Sequence, residues 1–245
     1  MTRYLTTDGA ALAGMTGAGI RIAVIDSGVA AGHPHVGAVA TGTSLVGDDP
    51  NDSADRLGHG TAVFAAIREK APGAALIPVR VLDRQLATSA AILAQAINWA
   101  VNAGVHIVNL SFGTTNVAHL PLFEASLLAA HAAGILVVSA SAQGDTRWIP
   151  GSMPGAVGVI AADDAPRHGI AVVSGPLGGT LAAAPFPRPI AGVPVERNLS
   201  GVSFAVANAT GIIALALQAG APPNSAAALM AWIDERALPA FPIPG

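Results

Sequence analysis

The 245-residue chain predicts an α/β fold of three layers, a mostly parallel central sheet with helices on both of its faces. Three observations carry that reading. Short, continuously apolar runs recur at Arg21–Asp26, Ala75–Val81, His106–Leu110, Ile135–Ala140 and Val157–Ala162, the pattern of strands buried on both faces. Stretches with helical spacing lie between them, at Gly60–Lys70, Thr88–Ala103 and Leu120–Ala133, the last with Gly134 placed as a C-cap. Strand and helix alternate, and consecutive parallel strands require such crossovers.

The remaining elements follow in order. From Gly169 to Gly192 the chain is rich in glycine and proline, which reads as short strands and loops. A helix opens near Ser203 and runs to about Gln218. Its stretch Gly211–Leu217 is apolar, but the neighbouring Asn208 and Thr210 keep it short of the ~20 apolar residues that span a bilayer, so it reads as a buried helix. A last helix, Ser225–Arg236, precedes a proline-rich tail. With no repeat and no linker-like segment, residues 1–245 read as a single domain.

Composition removes several function classes. Net charge is −3 and lysine and arginine form no cluster, so there is no electrostatic footprint for nucleic acid. Hydrophobic residues make up 52% and charged residues only 11%, against roughly 25% in ordinary soluble domains, which implies a large core or a covered surface. Cysteine is absent, which excludes disulfides and metal–thiolate sites and leaves the redox compartment open. The residues before Asp26 lack a charged segment followed by an apolar core, and they are too few for an inhibitory propeptide. The expectation is a cytoplasmic protein with neither secretory signal nor propeptide.

Three motifs stand in a fixed order. Ile25-Asp26-Ser27-Gly28 ends an apolar run, Gly58-His59-Gly60-Thr61 opens a helical stretch, and Gly201-Val202-Ser203-Phe204-Ala205 opens another. A serine hydroxyl is a poor nucleophile at neutral pH and needs a base within hydrogen-bond reach, itself oriented by a third group. Ser203, His59 and Asp26 supply nucleophile, base and acid, and Asp26 falls at the carboxyl end of a strand, where parallel sheets place their ligands. Taken singly, each motif has a plainer reading, as a turn former or an N-cap. The joint reading rests on all three.

The order Asp, His, Ser and the surrounding residues resemble the subtilisin-like serine peptidases, the subtilases, from about Gly14 to about Leu217. The resemblance implies a subtilisin-like fold, a serine endopeptidase acting through an acyl-enzyme, and a peptide or protein substrate. It also implies an oxyanion site made by the Ser203 backbone N–H and a side-chain amide. Gln143 stands where the family has asparagine; it offers the same donor one methylene further out. Loss of such a donor costs roughly 10²- to 10³-fold in rate, the size measured in subtilisin. The residues flanking the triad also depart from the family pattern, with Ala62-Val63-Phe64-Ala65 after Thr61, Val202 before the nucleophile, and Phe204-Ala205-Val206-Ala207-Asn208 after it.

Substrate recognition in the family pairs an extended peptide with a backbone edge. Ser111-Phe112-Gly113 resembles that edge, Ala140, Ser141 and Ala142 resemble one pocket wall, and Trp148-Ile149-Pro150-Gly151 resembles the pocket base. Trp148 occupies a position where glycine is common, so the indole is expected to restrict the pocket to small side chains. The small size and Gln143 also resemble stand-alone members that remove leaders from ribosomally made peptides, among them the type serving quinohemoprotein amine dehydrogenase maturation. A partner protein presenting the precursor fits that role. Two other classes stay open: an acyl-transferring ligase or macrocyclase, and a binding protein on a weak or inert peptidase fold.

The other candidates carry less. His33, His35, His106, His119, His131 and His168 lack ligand spacing and read as structural or surface residues. The loop Asp48–Asp55 offers oxygen ligands that could hold Ca²⁺, but its spacing is not that of an EF-hand, so no metal site or cofactor is assigned. Asn109 reads as part of a strand end, and Trp99 and Trp232 as core.

Overall fold

Each apolar run forms a strand, and each helical stretch a helix, with ends shifted by a residue or two. The computed structural model describes residues 2–82, 87–175, 178–194 and 197–239; the proline-rich tail beyond them lies outside the described residues. In chain order the elements are β1 (Arg3–Thr6), β2 (Arg21–Asp26), β3 (Thr43–Ser44), α1 (His59–Lys70), β4 (Ala75–Arg80), α2 (Ala90–Asn102), β5 (Ile107–Leu110), α3 (Leu120–Ala132) and β6 (Leu136–Ala140). There follow β7 (Ala142–Gln143), β8 (Thr146–Arg147), β9 (Ala156–Ala161), β10 (Gly169–Gly175), β11 (Gly178–Ala183), α4 (Val202–Gln218), α5 (Ala226–Arg236) and β12 (Leu238–Pro239). Thr88 and Ser225, read as helical, lie before their helices. Ser89 and Ser225 are the N-caps, their side chains accepting from the N–H groups of Ile92 and Ala228.

Ten strands form one sheet in the order β12-β1-β10-β11-β9-β6-β5-β2-β4-β3. From β3 to β11 every pairing is parallel. The β10–β11, β1–β10 and β1–β12 pairs are antiparallel. The sheet is therefore the mostly parallel one expected, extended by an antiparallel edge. β1 carries no sequence signal of its own: four residues are too short for a period, and its partner β10 lies far along the chain.

Alternation along β2 sorts its side chains between two cores. Ile22 and Val24 pack with Val63, Phe64 and Ile67 of α1 and with Ile212 and Ile213 of α4. Ala23 and Ile25 point the other way, into a cluster with Leu93 and Ile97 of α2 and Phe123 and Leu127 of α3. These are the three layers. α4 is buried along Phe204–Ala216, which explains an apolar stretch without a clean amphipathic stripe. Among the described residues no helix is long and apolar enough to cross a membrane.

β2 sits between β4 and β5. The chain reaches β4 through α1 on one face, then crosses back to β5 through α2 on the other, so a crevice opens at the carboxyl ends of β2 and β5. α1 and α4 lie side by side beneath it, close enough that a Cβ on Gly211 would come 2.7 Å from Lys70 Cβ and 3.1 Å from the Ile67 carbonyl oxygen. Neither atom is the free end of a side chain, so Gly211→Ala must push the helices apart. It should cost about 1–3 kcal/mol, read as a lower urea midpoint.

Candidate active site

Asp26 ends β2 with 1% exposure, and the chain turns sharply after it. Gly28 has φ +107°, and a Cβ there would come 2.5 Å from the Ser53 carbonyl oxygen, so both conformation and space require glycine. The turn lets Val29 donate to Ser53 at 2.9 Å, tying β2 to the loop that leads into α1. Asp26 Oδ1 accepts the Ser27 N–H at 2.7 Å and lies 2.8 Å from His59 Nδ1.

His59 is the first residue of α1, whose N-cap, Gly58, has no side chain to bond the free N–H groups. Asp55 does that work from upstream. Its Oδ1 accepts from the N–H groups of Leu57 and Gly58, both at 2.9 Å, and its Oδ2 from the Thr61 N–H at 2.8 Å and the Thr61 hydroxyl at 2.6 Å. Ser27 Oγ donates to Asp55 at 2.9 Å and accepts the Gly60 N–H at 2.9 Å, so the first two motifs are locked together through Asp55. A Cβ on Gly60 would strike the Gly28 carbonyl oxygen and come within 3.0 Å of Ser27 Oγ, which is why glycine follows the histidine.

Burial opposes ionisation of Asp55, but its hydrogen bonds to Thr61, Leu57 and Gly58 prevail and lower its pKa. At His59 burial favours the neutral ring. The hydrogen bond and charge of Asp26, with the charge of Asp55, overcome it and raise the pKa above 6.5. The imidazole stands between Phe112 and Phe204, with ring centroids 5.5 and 5.6 Å away.

Ser203 lies in the first turn of α4, its Oγ 3.1 Å from His59 Nε2. Its N–H has no backbone partner, and with the helix dipole it presents partial positive charge to an incoming oxygen. The loop before it is braced from two sides: Gly201 donates to the Pro185 carbonyl, and Asn208 Nδ2 donates to the Ala184 and Phe186 carbonyls, all at 2.9 Å. Asn208, noted in the sequence only as a departure from the family pattern, is fully buried and fixes the approach to the nucleophile. A second relay runs from α4 to the edge segment: Thr210 Oγ1 donates to Asn109 Oδ1 at 3.0 Å and Asn109 Nδ2 to Ser111 Oγ at 3.2 Å. A buried polar pair in a strand and an apolar helix is the signal that could have found it.

The structure gathers most of the expected substrate residues. Ser111 is buried, Phe112 and Gly113 are half-buried, and Thr114 pairs antiparallel with Ile149. Ala140 and Ser141 are buried at the end of β6, and Ala142 is half-buried. Trp148 stands between these walls. Its backbone N–H donates to the Ser141 carbonyl at 3.0 Å, its indole nitrogen is buried with no hydrogen-bond partner among the described residues, and its Cβ lies 3.5 Å from where a Cβ on Gly113 would be. Gln143 differs: it is exposed in the β7–β8 hairpin, paired with Thr146, and shares no hydrogen bond with the triad. A hollow of about 400 Å³, bordered by Gly113, Thr114, Thr88, His119 and Leu122, extends the edge and was not anticipated.

The acidic loop is engaged by protein donors. Asp52 pairs with Arg56 at 2.7 Å and Arg80 at 2.8 Å, and Asp55 holds α1. Among the described residues no three His, Cys, Asp or Glu side chains gather into a group that could hold a metal ion. Trp99 and Trp232, read as core, are only partly buried; they pack against the edges of the two clusters.

An NMR titration of His59 should give a pKa above 6.5, and Asp55→Asn should lower it. Because the folded ring holds its proton more tightly than the unfolded one, the stability it contributes is fully present below the unfolded value and is lost as pH rises through the folded pKa.

The sequence profile of the subtilase family matches residues 17–182, which include Asp26 and His59 and stop short of Ser203. The thermostable alkaline protease of Halalkalibacterium halodurans is 36% identical over 171 residues, 65% of this chain and 46% of that protein. The chain thus spans about half the length of that relative. Among solved structures, MycP1 with its N-terminal propeptide removed superposes with a TM-score of 0.66 at 25% identity, covering 87% of this chain and 83% of that one. A cold-adapted subtilisin-like serine proteinase shares the fold, with a TM-score of 0.68 at 21% identity over 92% of this chain and 85% of the other. The family profile covers well over half of the sequence, and this chain belongs to the subtilase family.

Proposed function

We propose that the protein is a serine endopeptidase. The observation that carries this reading is the continuous hydrogen-bonded line from Asp26 through His59 to Ser203. Ser203 Oγ attacks a peptide carbonyl carbon while its proton passes to His59 Nε2. The negative charge that develops on the carbonyl oxygen meets the Ser203 N–H, with Gln143 as the second donor once its side chain turns inward. The carbon–nitrogen bond then breaks, the amine leaves with the proton from His59, and water releases the acyl group by the same steps. Asp26 keeps the imidazole in the tautomer that accepts on Nε2 and stabilises the imidazolium.

The peptide lies along Ser111-Phe112-Gly113, and its side chain before the scissile bond enters the space between Gly113 and Ala140–Ala142. The place of Trp148 between these walls supports a preference for glycine, alanine or serine there. A narrow pocket suits a processing role, the removal of a leader from a ribosomally made precursor brought by a partner, in the cytoplasm.

Intact mass after fluorophosphonate treatment tests the reading. Wild type should gain one adduct, Ser203→Ala none, and His59→Ala should react orders of magnitude more slowly. A folded wild type that gains none would instead favour a binding protein on a peptidase fold, for which the exposed Gln143 is the supporting observation. On peptide substrates, Trp148→Gly should raise kcat/KM for phenylalanine relative to alanine before the cut by at least tenfold; an unchanged ratio removes the indole from specificity.

A further inference from the structure

A hollow of about 510 Å³ opens beside His59, away from the edge that takes the acyl half of the substrate. Asp55, Gly58 and Thr61, the residues flanking His59, form one side of it, and Leu199, shortly before Ser203, forms another. None of Ser111, Phe112, Gly113 or Trp148 lines it. The leaving amine takes its proton from His59, so the leaving segment departs over the imidazole and past this opening.

The hollow holds one guanidinium, that of Arg188, and one carboxylate, that of Asp55. Arg188 is half-buried on its wall and makes no ion pair among the described residues; its carbonyl accepts from Asn198 Nδ2 at 3.3 Å, while its guanidinium has, among the described residues, one long contact of 3.5 Å to the His35 carbonyl oxygen. Asp55, the carboxylate on the opposite side, already accepts five protein hydrogen bonds and is not available to Arg188. His33 Nδ1 accepts the His35 N–H at 3.2 Å, which leaves Nε2 as the donor of the neutral ring. Burial, then Arg188, then His33 hold His35 below the ordinary imidazole range, so at neutral pH Arg188 supplies the charge there. Behind it, Lys70 and Arg167 share the single carboxylate of Glu69. A partly enclosed, unpaired guanidinium in a protein of net charge −3 is a built feature rather than a general surface bias. Its rim is apolar: Ile190 is 50% and Leu199 55% exposed, suited to the methylene stem of a side chain.

We propose that this hollow binds a carboxylate carried by the leaving-group half of the substrate peptide, with Arg188 as its counter-ion and His33 as a second donor. The proposal rests on the peptidase reading, and it names a specificity for that site.

The test separates the two. Full-length Ser203→Ala, labelled for observation of arginine Nε and imidazole signals, is titrated with three peptides: Ala-Glu-Ala amide, Ala-Lys-Ala amide and Ala-Ala-Ala free acid. The glutamate peptide should shift the signals of Arg188 and His33, and the lysine peptide should not. The free acid reveals whether a terminal carboxylate serves as well as a side chain. Absence of any shift with both carboxylate peptides, or an undiminished His33 shift when Arg188→Gln is added and the glutamate peptide is titrated, overturns the site whether or not the wild type cuts peptides. In cleavage of a mixed peptide library, acidic over basic residues among the first positions after the cut should be enriched at least threefold by wild type. Arg188→Gln should abolish the enrichment and Arg188→Glu should reverse it. Identical profiles in the three proteins overturn the proposal while leaving the hydrolase reading intact.

Discussion

The close parallel packing of α1 against α4 is the constraint on which the rest depends. One end of the contact is Gly211 against Lys70 and Ile67, where only a glycine fits; the other is His59 against Ser203. The helices share one core beneath β2, so their N-termini emerge together at the carboxyl end of that strand. His59 and Ser203 each sit in the first turn of a helix, where unpaired N–H groups and helix dipoles concentrate positive potential. Asp26 ends the strand beside them. A displacement at the helix contact would be felt in the 3.1 Å separation of His59 Nε2 and Ser203 Oγ, because close-packed interiors transmit strain.

That positive potential is balanced locally. Asp55 accepts the Thr61 N–H that Gly58 leaves uncapped and adds its charge to that of Asp26 at the imidazole. One carboxylate thus closes the helix, holds Ser27 beneath the histidine and helps tune its proton affinity. On the nucleophile side buried amides do the comparable work. Asn208 ties the preceding loop to α4, and Asn109 with Thr210 ties α4 to the substrate edge. Asn208 acts on backbone carbonyls through its Nδ2, while Asn109 and Thr210 act through a relay of side chains.

The juxtaposition of Asp26, His59 and Ser203 and the central strands were legible because their signals are local. An apolar run ending in Asp-Ser-Gly, and glycines flanking a histidine, reflect short-range demands: a left-handed turn at Gly28 and backbone contact at Gly60. Asp55 was legible only as one acid in an acidic loop, since its role is defined by donors that come together after α1 forms. Asn109 read as a strand end and Asn208 as a departure from a family pattern, because their partners lie in other elements. Gln143 aligned with an oxyanion donor, yet its exposure follows from the hairpin geometry of β7 and β8, which no periodicity encodes.

By itself the sequence determined the three-layer α/β architecture and the order of the three motifs at Asp26, His59 and Ser203 that carry the family resemblance, since burial on both faces and tight glycine turns each leave a local trace. Only the tertiary structure decided the antiparallel edge contributed by β1, the place of Trp148 beside Ser141 and Gly113, and the hollow that Arg188 shares with His33 and His35. Those features arise from contacts between residues far apart in the chain, and the free energy that selects them resides in the packed core rather than in any local segment.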